Sequence, residues 1–223
     1  KPLITYSARA KEAYKGVPVV LGGLEASLRR LVHYDYIEDR LKRSVLVDAK
    51  SDLLVHGMGE SATLEIANRL NANSVGGAHP AFNINSFLDI PGIAYRVGKG
   101  VSLPDEFVEL PGFSELETDR EKFMIAQVEY QRQAHPEGLP VVQKQQDTDM
   151  IIVNPPIAPL RQAEMDALYD LPFARRAHPK YSEKIPALEP VQFSITTHRG
   201  CFGGCSFCSI YFHQGKEIAG RSV

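Results

Sequence analysis

Asp52-Leu-Leu-Val-His-Gly-Met-Gly-Glu60 is the stretch on which the fold turns. Asp52 to His56 is an apolar run of strand length, and Gly57 to Glu60 is its exit turn. Ser61 to Leu70 follows with Leu64, Ile66, Ala67 and Leu70 at helical spacing. The same order occurs upstream. Val17-Pro-Val-Val-Leu21 reads as a buried strand, Gly22-Gly23 turns it, and a helix is expected around Glu25 to Val32. Strand, glycine turn and helix, twice in succession, predict an α/β fold with a doubly wound parallel sheet. Ala8 to Tyr14 adds a short helix, and Leu41 to Val47 a strand or a helix leading into one. In open sheets of this type ligands gather beyond the carboxyl ends of the strands, where both glycine turns fall. Glycine at such turns is routine, and that plain reading outweighs a ligand reading here. Glu60 is placed to cap its own helix, where the dipole favours a carboxylate.

Further along, Ile93 to Val97 is a short strand and Phe107 to Leu110 a segment able to pair nearby. Ser114 is expected to cap a long helix from Glu115 to Ala134, with Glu117 completing a capping box and Phe123, Ala126, Val128 and Tyr130 on its packed face. His135-Pro136 ends it. Val141 to Lys144 and Met150 to Val153 read as a hairpin across polar Gln145 to Asp149. Asn154-Pro-Pro-Ile-Ala-Pro159 is a rigid break, Leu160 to Tyr169 a short helix, and Pro172 to Pro190 an extended linker. Arg175, Arg176, His178 and Lys180 on that linker read as a solvated face in preference to a phosphate or RNA contact. Four units are expected: residues 1–75, 76–153, a linker over 154–190, and 191–223.

The chain has three cysteines, Cys201, Cys205 and Cys208, in a C-x3-C-x2-C spacing. They follow Val191-Gln-Phe-Ser-Ile-Thr-Thr197, which alternates like a strand. Three thiolates on one flexible loop suit three irons of a cubane, with the fourth iron left open; clusters normally take four cysteines. A catalytic zinc keeps one position open in a similar way. Gly203 and Gly204 let the backbone pass close to a cluster, and Gly200 turns the chain out of the strand. Phe202 and Phe207 offer an apolar wall that would exclude water. His198 and Arg199 lie just upstream as positive neighbours for a thiolate. A Cys3His zinc site with His198 or His213 is the competing reading, but the second knuckle such sites use is missing. A disulfide framework is weaker, because the cysteine count is odd and no secretory segment is visible.

The string Val191-Gln-Phe-Ser-Ile-Thr-Thr-His-Arg-Gly-Cys-Phe-Gly-Gly-Cys-Ser-Phe-Cys208 resembles the cluster loop of the radical S-adenosylmethionine (SAM) superfamily, and in particular its YgiQ-type branch. Val19 to Arg30, His33-Tyr-Asp-Tyr36, Asp52 to Glu60 and Asn154-Pro-Pro156 resemble the same branch. The resemblance implies that Cys201, Cys205 and Cys208 ligate a [4Fe-4S] cluster whose open iron binds the amino and carboxylate groups of SAM. Phe207, the aromatic before the last cysteine, would contact the cofactor. It implies an enzyme that cleaves SAM to methionine and a 5′-deoxyadenosyl radical, with an unknown substrate and a reductant such as flavodoxin or ferredoxin. The N-terminal part resembles the later half of a cobalamin-binding-type domain. Cobalamin-assisted methyl transfer stays open as an alternative but is unsupported, since His33 and His56 sit in no cobalt-ligating motif. Families that methylthiolate tRNA carry three further cysteines that this chain lacks.

Residues 191–223 have room for one βα unit of roughly 30 residues, whereas a β/α barrel takes roughly 200. The expectation is therefore the N-terminal region and first barrel unit of a longer protein, inactive as this stretch alone. A non-catalytic binding module, pinned by zinc or a cluster, is the alternative.

The bulk numbers bound the rest. Of 223 residues 43% are hydrophobic, with net charge −2 and no Trp, an ordinary globular composition without general attraction to nucleic acid. No apolar run reaches the ~18 residues of a membrane span, and free cysteines that must stay reduced fit the cytoplasm. Asp35, Glu38 and Asp39 beside Arg40, Lys42 and Arg43 read as surface ion pairs. No P-loop, G-x-S-x-G or H-E-x-x-H occurs, and Gly98-Lys-Gly100 is a lone glycine turn.

Overall fold

Leu53-Leu-Val55, Ile93-Ala-Tyr95 and Ile151-Ile-Val153 are buried at every position. Unbroken apolar runs of this kind need a sheet covered on both faces. The computed structural model of the chain describes residues 2–72, 82–98, 101–146 and 148–222. Lys99 and Gly100 of the Gly98-Lys-Gly100 turn, and Asp147 of the polar hairpin joint, lie outside the described residues.

The chain opens with α1 (Pro2–Ala13), β1 (Val20–Leu21), α2 (Gly23–Leu28), β2 (His33–Asp35), β3 (Arg40–Lys42), α3 (Val45–Asp48), β4 (Leu53–Val55) and α4 (Glu60–Ala72). β5 (Ile93–Val97), β6 (Val108–Leu110), α5 (Phe113–Thr118), α6 (Arg120–Gln133), β7 (Val141–Gln146) and β8 (Asp149–Val153) follow. The remainder holds α7 (Gln162–Tyr169), β9 (His198–Arg199), α8 (Tyr211–Gln214) and β10 (Ala219–Gly220).

A six-stranded sheet of order β1-β4-β5-β8-β7-β6 organises the molecule. β1 and β4 pair in parallel, Val20 beside Leu53, as the repeated strand–glycine–helix pattern predicts. β6 and β7 are also parallel, while β4–β5, β5–β8 and β7–β8 are antiparallel, so the sheet is mixed. It crosses the expected boundary at residues 75/76, since β4 and β5 are neighbours. The side chains alternate. Leu54, Ala94, Ile151 and Val153 face Ala26, Leu31 and Val45 to Val47 of the α2–α3 layer. Leu53, Val55, Ile93, Tyr95 and Ile152 face Ala62 and Ile66 of α4, with Phe87 and Ile90. Asp52 ties the first layer to the edge strand: its carboxylate accepts from the Val19 amide at 2.7 Å and pairs with Lys11 at 3.0 Å.

Three local expectations are corrected. The long helix from Glu115 breaks in two at Asp119, whose carboxylate accepts from the amides of Glu121 and Lys122 at 2.9 and 3.1 Å and so starts α6. Gly112, and not Ser114, precedes the first helix, and it is Glu115 that accepts from the Gly112 amide. The alternating run Val191 to Thr197 forms no strand: Val191, Phe193 and Ile195 are 55, 78 and 73% exposed. A strand exists only with a ladder partner, but Val191 to Phe193 form a turn, with the Val191 and Gln192 amides bonded to the Leu188 carbonyl, and only at its end, where the Thr197 carbonyl accepts from the Arg221 amide, does the run meet the β10 side among the described residues. The extended pair that does form is the two-residue ladder β9–β10, antiparallel with Arg199 opposite Ala219.

Ile152 is fully buried between Tyr95 and Val142 on the neighbouring strands. Replacing it with alanine is expected to cost about 2–5 kcal/mol of unfolding free energy in urea titrations. The exposed Ile37→Ala serves as the control with little change.

Candidate metal centre

Residues 198–221 form a looped-out hairpin that carries the three cysteines. Gly200, at φ +92°, makes its first turn, and a Cβ there would lie 1.8 Å from the Glu217 carbonyl oxygen. Only glycine fits. The Cys201 amide donates to the Gly215 carbonyl at 2.9 Å, and the Arg221 amide to the Thr197 carbonyl at 2.9 Å. Cys208 is drawn back by a bond from its amide to the Cys205 carbonyl at 3.1 Å. All three cysteines are free, Cys201 and Cys205 exposed and Cys208 partly covered. Gly203 lies between two of them: a Cβ there would meet Cys201 Sγ at 3.4 Å and Cys205 Sγ at 3.6 Å. Among the described residues no three His, Cys, Asp or Glu are gathered as a ready metal cage.

The expected surroundings are arranged differently. Phe202 and Phe207 are 85 and 91% exposed, so neither walls the loop. His198 shares a bond with its neighbour Thr197. Arg199 turns to the other layer, donating to Glu60 Oε1 at 2.6 Å and to the Tyr169 hydroxyl at 3.2 Å. Glu60 therefore anchors the hairpin as well as opening α4. Arg221 also approaches the same tyrosine ring, 5.0 Å from its centre, and reaches Asp166. Tyr169 thus contacts two guanidinium groups.

Beneath the loop, α8 docks on the carboxyl edge of β1 and β4. The Ser27 hydroxyl accepts from the Gly57 amide at 3.0 Å and bonds His213 Nδ1 at 2.8 Å. Phe212 stacks on Tyr130 at 5.9 Å. His56 is buried, with Nε2 donating to the Asn154 carbonyl at 3.1 Å, and Asn154 in turn donates to the Leu88 and Ile90 carbonyls. Arg30 is buried beside it, donating to the Ser27 carbonyl and the Tyr130 hydroxyl. Burial lowers the His56 pKa well below the usual imidazole value, and the nearby Arg30 charge adds to this. His213 is lowered by burial and by Arg30, opposed by Glu60. Burial lowers Arg30 to about 9.

Sequence reasoning did not single out Arg30, Ser27 or His213 as one group. Residues 27, 30, 56 and 213 converge only when α8 folds back, and locally Arg30 was no more than one residue of the helix expected around Glu25 to Val32.

Residues 1–194 match the radical SAM N-terminal family, and the chain belongs to it. It is 49% identical over 98% of its length to a UPF0313 protein of Geobacter sulfurreducens, of which it covers 35%. It is 45% identical over its whole length to a UPF0313 protein of Methanocella arvoryzae, covering 36% of that chain. A UPF0313 protein of Methanosarcina acetivorans is 44% identical, with 32% covered. The chain spans about a third of the length of these UPF0313 relatives. No solved structure matches it. Among the described residues no helix is long and apolar enough to cross a membrane.

Gly200→Ala is expected to open the hairpin, read as faster amide hydrogen exchange at Cys201 and Arg221 while β4 and β8 stay protected. Acid should loosen the same seam. His56 and His213 bind protons less readily folded than unfolded, so the unfolded chain takes up more protons as pH drops below about 6.5. Stability is complete above that pH and falls below it. Thermal melting between pH 7.5 and 5.5 checks this, with His56→Gln expected to flatten the profile.

Proposed function

We propose that Cys201, Cys205 and Cys208 hold a [4Fe-4S] cluster, and that the chain is the N-terminal part and first barrel unit of a radical SAM enzyme. The observation that carries the reading is Gly203, over which the sulfurs of Cys201 and Cys205 draw close on a loop whose third cysteine is also a free thiol. That donor set and that backbone access fit a thiolate-bound cluster. When bound, such a cluster supplies an open iron for the amino and carboxylate groups of SAM and the electron that cleaves SAM to methionine and a 5′-deoxyadenosyl radical.

The protein's own residues prepare the loop. Gly200 aims it away from the hairpin, and Arg199, held by Glu60 and Tyr169, fixes the stem without occupying the thiolates. Phe202 and Phe207, exposed here, close over the loop as further barrel units pack against Val191, Phe193 and Ile195; Phe207 then contacts the cofactor. Residues 154–190 act as the linker that carries this first unit across the N-terminal sheet. The protein works in the cytoplasm on a substrate held by the rest of the barrel, with flavodoxin or ferredoxin as reductant. Cobalamin is not part of the reading: His56 is buried and donates to Asn154, and His33 bonds the Leu31 carbonyl.

Iron, sulfide and zinc are measured on the anaerobically purified full-length protein, with electron paramagnetic resonance of the reduced sample before and after SAM. About four irons per chain and a SAM-shifted signal are expected, with each cysteine-to-alanine variant losing the signal. Stoichiometric zinc, or a cluster whose signal ignores SAM, would overturn the reading and leave a metal-pinned binding module.

A further inference from the structure

Arg30 is a buried cation without a counter-charge. It is 4% exposed, its Nε has no hydrogen-bond partner, and no carboxylate bridges it among the described residues. Its two bonds go to neutral oxygens, the Ser27 carbonyl and the Tyr130 hydroxyl, with the guanidinium 4.9 Å from the Tyr130 ring centre. A fork with five N–H donors is thereby left with donors to spare. Burying a lone charge is strongly unfavourable unless an opposite charge joins it.

Arg30 lines a cavity of about 130 Å³ between the β1–β4 edge and the α8 segment. By volume it holds several waters or a small oxyanion. His56, the Gly57 turn, Tyr130, Arg199 and His213 share its wall. Arg199 is already neutralised by Glu60 at 2.6 Å. Of the carboxylates, Glu217 alone joins the lining, at the exposed rim beside Lys216. The interior is therefore cationic, and it lies at the sheet edge where open α/β folds take ligands.

We infer that this cavity binds a small oxyanion, a phosphoryl or carboxylate group, on the Arg30 guanidinium, beneath the cluster loop and separate from it. The guanidinium fork matches either group in two-point fashion. The ligand would touch α6, α8 and the segment just after α2 together, so its binding would hold the cysteine hairpin against the N-terminal layer. The lowered pKa of Arg30 agrees, because an arriving anion restores the stability of the charged form. The inference does not depend on the cluster reading, since no cysteine lines the cavity.

The test is isothermal titration of the full-length protein with inorganic phosphate and, separately, with succinate, at constant ionic strength set by chloride. Saturable binding of one or both is expected, with phosphate alone pointing to a phosphoryl ligand and succinate alone to a carboxylate. Arg30→Met should weaken it about tenfold or more, with melting in anion-free buffer unchanged or raised. Should that variant not fold, crystals of the unsubstituted protein soaked in selenate decide the matter. An anomalous peak within hydrogen-bond distance of Arg30 supports the site. No saturable binding, equal binding by Arg30→Met, or no peak at Arg30 overturns it and makes the arginine a structural strut between Ser27 and Tyr130.

Discussion

Two-sided burial of three short strands is the constraint on which everything else rests. Leu53 to Val55, Ile93 to Tyr95 and Ile151 to Val153 alternate between two apolar layers, so neither face can be left to water. The α2–α3 layer closes one face and α4, with Phe87 and Ile90, the other. Once both are covered, the carboxyl edge of β1 and β4 is the free rim of that framework. The glycine turns at Gly22 and Gly57 and the start of α4 at Glu60 follow from it.

That rim is where the cysteine segment attaches. The attachment is mostly polar: Ser27 with Gly57 and His213, Glu60 with Arg199, and Asp166 with Arg221 and Ser222. Phe212 against Tyr130 is its apolar part. An interface built this way excludes less water than a core. Individual bonds there contribute on the order of 1 kcal/mol, more where charge is involved. The hairpin is thus held in direction, while the loop at its tip keeps its thiols accessible.

The strand at Ile93 to Val97, the hairpin of β7 and β8, the helix after Gly57 and the parallel pairing of β1 with β4 were legible from local pattern, because each is set by side-chain period and turn chemistry. The break at Asp119 was not read. Its carboxylate competes for the amides of Glu121 and Lys122 inside an otherwise helical pattern, and the choice between capping and continuing depends on how Leu116 and Ala126 pack. The run at Val191 to Thr197 shows the opposite failure. Its alternation is real, but a strand needs a partner strand, and sequence period supplies none.

By itself the sequence determined the close spacing of Cys201, Cys205 and Cys208 and the glycines between and before them, because spacing and local backbone freedom are properties of adjacent residues. It did not determine which strands would be buried: Val17 to Leu21, read as a buried strand, supplies only the two-residue edge strand β1, with Val17 and Val20 47 and 37% exposed. Tertiary structure alone decided the mixed direction of the sheet, the docking of α8 on its rim, and the enclosure of Arg30 and His56. Those depend on residues far apart in the sequence meeting at one edge, where burial rather than residue type sets the charge and the chemistry.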